Sequence, residues 1–224
     1  MITAFIPARG GSKGLPGKNI KMFADKPLIV HSIDYALNSN YIDEVIVSTD
    51  DTDISDIALK AGANIINRPA NIASDTSTTE SAIEHYLNNT KQPNIIVLLQ
   101  PTSPLRPKGS LDKAIKHFKD NQFDSLLSIT PTHRFFWRIK DGKTASAEYN
   151  YLERPMRQNI KEDDVRYLEN GSLYIFTINN FLKTKNRLGG KIGYVKWSED
   201  YQFEIDSELD FNNLERLFLS KMSK

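Results

Sequence analysis

Short apolar runs alternate with amphipathic stretches along most of this chain. Ile2, Ala4, Phe5 and Ile6 make a first run with the look of a buried strand. Residues 25–40 follow with a helical period carried by Ile29, Ile33, Ala36 and Leu37, and with Pro27 near its start. Residues 44–50 read as a short buried strand with a polar end, 53–61 as a helix stopped by Gly62, and 64–67 as a brief strand. A polar loop over 68–79 runs into a helix at about 77–88. The run 94–100 is the strongest strand signal and is expected at the centre of a sheet. Residues 101–106 hold too much proline for a helix; 110–121 then reads as helix and 124–130 as strand. Such alternation requires crossover connections. It predicts an α/β fold with a largely parallel sheet and helices on both faces.

From 131 to about 170 the pattern breaks. His133, Phe135, Phe136, Trp137, Tyr149 and Tyr151 sit among charges without a helical period. Asp141-Gly142 is a hairpin-turn signal between two short candidate strands. This stretch is expected to form an inserted arm whose aromatics pack on a partner subunit. Regular patterning then returns, with a strand at 171–177, a short helix at 179–185, a strand at 191–197 and a final helix from about Ser207. That helix is expected to turn Phe211, Leu214, Phe218 and Met222 inward, with Ser207 and Asp210 approximating a capping box.

Length and composition narrow the function. A chain of 224 residues suits a single domain, 1–224, with the arm as a subregion. A net charge of +1 argues against a general nucleic-acid binder, so any phosphate-binding charge must be local. The absence of cysteine excludes disulfides, thiolate catalysis and cysteine-based zinc sites. No apolar run approaches the roughly 18 residues of a membrane span. Nor does a basic region precede a long apolar core at the N-terminus, so no membrane partner and a cytoplasmic location are expected.

The candidate chemistry concentrates in the loop after the first run, Arg9-Gly-Gly-Ser-Lys-Gly-Leu-Pro-Gly-Lys-Asn19. Glycines allow backbone N–H groups to close on an anion, and Arg9, Lys13 and Lys18 supply charge-assisted hydrogen bonds to phosphate. A Walker A loop would need Gly at Ser12 and Ser or Thr at Asn19; a dinucleotide fingerprint would need Gly at Arg9. Neither fits. Three further polar stretches, 48–51, 68–79 and 100–106, follow predicted strands at the end where ligands bind in open α/β sheets. Near the C-terminus, Glu204 and Asp206 stand one residue apart on an extended segment, which points both carboxylates to one side and suits Mg²⁺.

The pattern R-G-G-S-K-G-x-x-x-K-N resembles the signature loop of the acylneuraminate cytidylyltransferases, the CMP-sialic acid synthetases. Gln100-Pro-Thr-Ser-Pro-Leu-Arg106 matches a stretch of that family after its central strand, and Arg68 with 73–79 resembles its nucleotide-side loop. Arg154-Pro-Met-Arg-Gln158 and Glu169-Asn-Gly171 resemble later blocks. Three departures stand out: Thr79 where Ser is frequent, Leu168 where a second arginine is frequent, and Glu204 where the family usually has Asp.

The resemblance implies a Rossmann-like three-layer α/β/α nucleotidyltransferase fold and a homodimer built through an exchanged arm. It implies Mg²⁺-dependent transfer of CMP from CTP to the anomeric hydroxyl of a nine-carbon α-keto sugar acid, sialic, legionaminic or related. Arg9, Lys13 and Lys18 would be catalytic; Gly10, Gly11, Ser12, Asn19, Arg68 and Thr79 would bind nucleotide. Gln100, Ser103, Arg106, Arg157, Gln158 and Asn170 would bind the sugar, and Asp206 and Glu204 the metal. No residue stands out as a general base. An eight-carbon, Kdo-type acid is the nearer alternative, and a nucleotide-binding module without activity the more distant one.

Overall fold

The computed structural model of the chain describes residues 1–160 and 164–222, the side chain of Met222 excepted. Eleven strands are described: β1 (Ile2–Pro7), β2 (Met22–Phe23), β3 (Lys26–Pro27), β4 (Glu44–Thr49), β5 (Asn64–Asn67), β6 (Ile95–Leu99), β7 (Ser125–Thr132), β8 (Trp137–Lys140), β9 (Thr144–Ala147), β10 (Arg166–Thr177) and β11 (Ile192–Lys196). The helices are α1 (Leu28–Leu37), α2 (Thr52–Lys60), α3 (Thr79–Asn89), α4 (Ser110–Asp120), α5 (Ile178–Thr184) and α6 (Glu208–Met222). Seven strands make one sheet in the order β11-β7-β10-β6-β1-β4-β5. β6, the strongest strand in the sequence, lies at its middle. The pairs β1–β4, β1–β6, β4–β5 and β7–β11 are parallel.

Alternation along the strands sorts the helices into two outer layers. Ile2, Ala4 and Ile6 of β1 face one cluster with Ile29 and Ile33 of α1, Ile54 and Ala58 of α2, and Ile115 and Phe118 of α4. Phe5 faces the other, with Ile83 and Tyr86 of α3 and Phe181 of α5. A period of two in the strands thus separates the two cores. The fold is the expected Rossmann-like three-layer α/β/α arrangement. α6 closes one end: Phe211 and Leu214 bury against Leu15, Phe23, Leu28, Leu105 and Ile205, with Phe218 partly buried beside them. Ser207 and Asp210 do form the reciprocal cap, the Asp210 amide donating to Ser207 Oγ (3.2 Å) and the Ser207 amide to Asp210 Oδ2 (2.8 Å). The side chain of Met222, expected inward, lies outside the described residues.

β10 is longer than the sequence pattern shows, and it runs antiparallel to both β6 and β7. Its register shifts between Glu169 and Tyr174. Asn170 sits in that irregularity, 1 % exposed, and its carboxamide is spent internally. Oδ1 accepts from Ser128 Oγ (2.5 Å), and Nδ2 donates to the Tyr201 carbonyl (2.9 Å). Buried polar groups need such partners. Ser103 is equally enclosed, its hydroxyl aimed at the Asn170 carbonyl (3.4 Å). Arg106 fans its guanidinium over the Ser172 carbonyl (3.1 Å), the Gln100 carbonyl (2.8 Å) and Ser32 Oγ (3.0 Å), under the ring of Tyr35. Burial lowers its pKa to about 10, which leaves it charged at neutral pH. The side chains of Ser103, Arg106 and Asn170, expected to face a sugar, are thus engaged by partners inside the protein in this structure. All three tie β6, β7, β10 and α1 together behind the site, because buried backbone carbonyls at an irregular strand claim their donors.

The Asp141-Gly142 turn joins β8 to β9 as a two-stranded hairpin, with Gly142 at φ +69 and Asp141 at φ +52. The arm stands apart from the main sheet, exposing Trp137, Ile139, Tyr151, Leu152 and Met156. Its last stretch, from Arg166, is the start of β10 rather than a separate insertion.

Replacing Arg106 by Lys keeps the charge but loses the planar fork that reaches three acceptors. We expect urea unfolding to show a loss of about 1–3 kcal/mol, the cost of leaving buried carbonyls without donors. An unchanged midpoint would contradict this structural role.

Candidate active site

The sheet order reverses between β1 and β6, since the chain leaves β1 towards β4 and later returns to β6 on its other side. A cleft of about 400 Å³ opens there at the strands' carboxyl ends, the place such sheets bind ligands. Arg9, Ser12, Lys13, Gly14, Lys18 and Asn19 line it from the first loop, Arg68 and Ser77 to Thr79 from the second, Gln100 to Thr102 from the third. Asp206 completes the wall from near the C-terminus. The fourth predicted stretch, 48–51, stands behind the others. The Gly10 amide donates to Asp50 Oδ1 (3.0 Å), Asp51 caps α2, and Arg68 Nη2 donates to the Ser48 carbonyl (2.8 Å).

Lys18 is the most enclosed of the three cations, its side chain 11 % exposed. Its Nζ donates to the Ile205 carbonyl at 2.6 Å and lies 3.7 Å from Asp206 Oδ1. Burial lowers its pKa, with Asp206 pulling the other way. Gly14 makes this approach feasible: a Cβ there would fall 2.2 Å from the Asp206 carbonyl oxygen. Asn19, buried, donates to the Arg9 carbonyl (3.0 Å) and so holds the loop while lining the cleft. Arg9 Nη1 and Lys13 Nζ both reach Asp75, at 2.8 Å and 2.6 Å. Asp75 rides on the loop before α3, where Thr78 rather than Thr79 is the N-cap.

Ile205 packs inward. Of its neighbours, Asp206 lines the cleft, whereas Glu204 is absent from that lining and borders a separate hollow with Asp210, Asn213 and Leu217. Glu204 nests against Gly171, whose φ is +64 and whose hypothetical Cβ would meet Glu204 Oε1 at 2.2 Å and Gln100 Oε1 at 3.0 Å. A side chain at 171 would therefore push both groups out of place. Burial, then Asp206 and Glu169, push the Glu204 carboxyl up to about 7. An excess of negative charge on hard oxygen donors fits a Mg²⁺ ion. Among the described residues no group of three His, Cys, Asp or Glu could hold a metal, so further ligands would have to come from phosphates and water.

Other predicted residues lie elsewhere. Gly11 and Gly10 are not in the cleft lining. Arg157 and Gln158 line a separate hollow on the arm with His133 and Phe135. Arg157 Nη2 pairs with both Glu199 oxygens, at 3.0 Å and 3.1 Å. A larger hollow of about 670 Å³ lies under the arm, bordered by Phe135, Phe136, Tyr149 and Arg166. It collects no cluster of cations at strand ends, whereas the smaller cleft does. Asp75 and Glu199 were not foreseen; each is an acidic residue in a polar stretch with no local pattern to distinguish it.

Comparison with known proteins points the same way. A cytidylyltransferase family model matches residues 3–223. N-acylneuraminate cytidylyltransferase A of Danio rerio is 34% identical over 94% of this chain and 49% of its own length. The post-translational flagellin modification protein B of Campylobacter coli is 32% identical over 98% of this chain and 96% of its own. The chain thus spans about half the length of the first of these relatives and nearly all of the second. In fold it is similar to a CMP:2-keto-3-deoxy-manno-octonic acid synthetase complexed with CTP, at a TM-score of 0.72 and 18% identity, covering 98% and 99% of the two chains. With nearly every residue inside the family match, and the cationic loop at the sheet's switch point, the chain belongs to the cytidylyltransferase family.

Proposed function

We propose that this chain transfers CMP from CTP to the anomeric hydroxyl of a nine-carbon α-keto sugar acid and releases pyrophosphate. The observation that carries the reading is the convergence of Arg9, Lys13, Lys18 and Asp206, from opposite ends of the chain, on one cleft. In this reading Arg9, Lys13 and Lys18 hold the triphosphate and neutralise the charge that grows on the leaving pyrophosphate. Ser12, Asn19, Arg68 and Thr79 surround the nucleotide, and Gln100 faces the sugar. Arg157 and Gln158 take the sugar carboxylate, with Arg157 giving up Glu199 for it. The sugar oxygen bonds to the α-phosphorus as the bond to the β-phosphate oxygen breaks, pyrophosphate leaves, and the hydroxyl proton passes to solvent water. No covalent intermediate is needed, since positioning and charge stabilisation supply most of the acceleration. Asp206 and Glu204 would hold Mg²⁺, which when bound polarises the α-phosphate and makes the sugar hydroxyl more acidic. The preference for a nine-carbon acid is supported by relatives named for N-acylneuraminate at 32–34% identity.

Pyrophosphate release from CTP and Mg²⁺ across N-acetylneuraminate, diacetyl-legionaminate, pseudaminate and Kdo tests this reading. We expect turnover with a nine-carbon acid, and a fall of about a hundred-fold or more in Asp206→Ala and in Lys18→Ala. Turnover with Kdo alone would replace the substrate, and CTP binding without release from any acid would favour a binding module.

Gly14→Ala sets a methyl 2.2 Å from the Asp206 backbone carbonyl oxygen, so one of the two segments must shift; the variant is expected to lose most activity and to unfold at a lower urea midpoint than the wild type. Wild-type turnover in that variant would show that the two segments need not touch.

The same reading includes a homodimer formed through the arm, supported by its exposed Trp137, Ile139 and Leu152. Sedimentation should give twice the 25.5 kDa chain mass, and Ile139→Asp should shift it towards monomer. A monomeric wild type would contradict the dimer.

A further inference from the structure

Two of the cations assigned to the triphosphate already hold an anion. Asp75 gives Oδ1 to Arg9 Nη1 (2.8 Å) and Oδ2 to Lys13 Nζ (2.6 Å), one oxygen to each cation, as a phosphate with two free oxygens would. The Lys13 side chain is 82 % exposed and has no packing to hold it, so this contact fixes where its charge sits. The two cations in turn hold the Asp75 carboxyl below the usual range, Lys13 contributing most. The carboxylate stands on a tight turn closed by Ser74 and Ser77: the Ser77 amide donates to the Ser74 carbonyl (3.1 Å), and the Ser74 amide to Ser77 Oγ (3.0 Å). That turn continues directly into Ser77, Thr78 and Thr79 of the cleft wall. Asp75 and a polyphosphate cannot share Arg9 and Lys13 without two like charges meeting at contact distance.

We infer that Asp75 is a displaceable internal counter-anion, a positioning residue that presents Arg9 and Lys13 at phosphate spacing, yields them to the incoming triphosphate, and reclaims them as pyrophosphate leaves. It acts through the two cations and takes no part in bond making. The arrangement weakens CTP binding and speeds the exit of a product that carries the same phosphates. This inference rests on the cleft being the triphosphate site.

The test uses the full chain as wild type, Asp75→Asn and Asp75→Ala, titrated calorimetrically with CTP and with inorganic pyrophosphate, alongside steady-state kinetics. Each exposed ion pair is weak, so the expected gain is moderate: dissociation constants for both ligands about three- to ten-fold lower in the variants. The KM for CTP should fall in step, and pyrophosphate should inhibit at correspondingly lower concentration. A residue that merely stiffened the loop would raise KM and leave product inhibition unchanged. CTP and pyrophosphate binding unchanged or weaker in both variants, with wild type binding normally, would overturn the inference alone. A wild type that binds neither ligand would remove the cleft assignment and the inference with it.

Discussion

Everything in the site depends on one contact between distant parts of the chain: the Lys18 ammonium on the Ile205 carbonyl, with Asp206 alongside. The two segments lie 187 residues apart in sequence, and their approach sets the width of the cleft. Burying a lysine is costly unless its charge is met by oxygen. Here a backbone carbonyl meets it directly while the neighbouring carboxylate stays largely in solvent. Ile205 anchors the arrangement because its side chain belongs to the small core under α6. Its two neighbours then take different places, Asp206 on the cleft wall and Glu204 against Gly171. Gly14 then lets the first loop come within van der Waals range of the same backbone.

The sheet supplies the other half. β1 and β6 end side by side at the switch point, so the loops after them must face each other across a crevice. Behind it, Arg106 and Asn170 act as rigid fasteners at the irregular strand β10. They hold Gly171, and through it Gln100 and Glu204, in fixed relation. Rigid supports and a loosely held pair, Arg9 and Lys13, divide the site. One part fixes Gln100 and Glu204 against Gly171, while the other is the pair held by Asp75.

Much of the fold was legible in the sequence because hydrophobic period and length decide it. The alternation of β1, the central apolar run of β6 and the Asp141-Gly142 turn each formed where the pattern put them. The direction of β10 was not legible, since an apolar run reads alike in a parallel and an antiparallel strand. In the site, Lys18, Arg68, Gln100 and Asp206 reached the cleft as their place at strand ends or on the extended segment implied. Ser103, Arg106 and Asn170 did not, for a physical reason. The groups that bind a sugar hydroxyl also satisfy a buried carbonyl, and only the three-dimensional burial of β10 decides between them. Asp75 was missed because its partners are brought to it by folding, 66 residues from Arg9 by number.

The most direct test of the account is the structure of this chain crystallised with CTP and Mg²⁺. The account predicts the triphosphate in the cleft between β1 and β6, contacted by Arg9, Lys13 and Lys18, with the metal near Asp206 and Glu204. A nucleotide seated instead in the larger hollow under the arm, with the cleft empty, would contradict it.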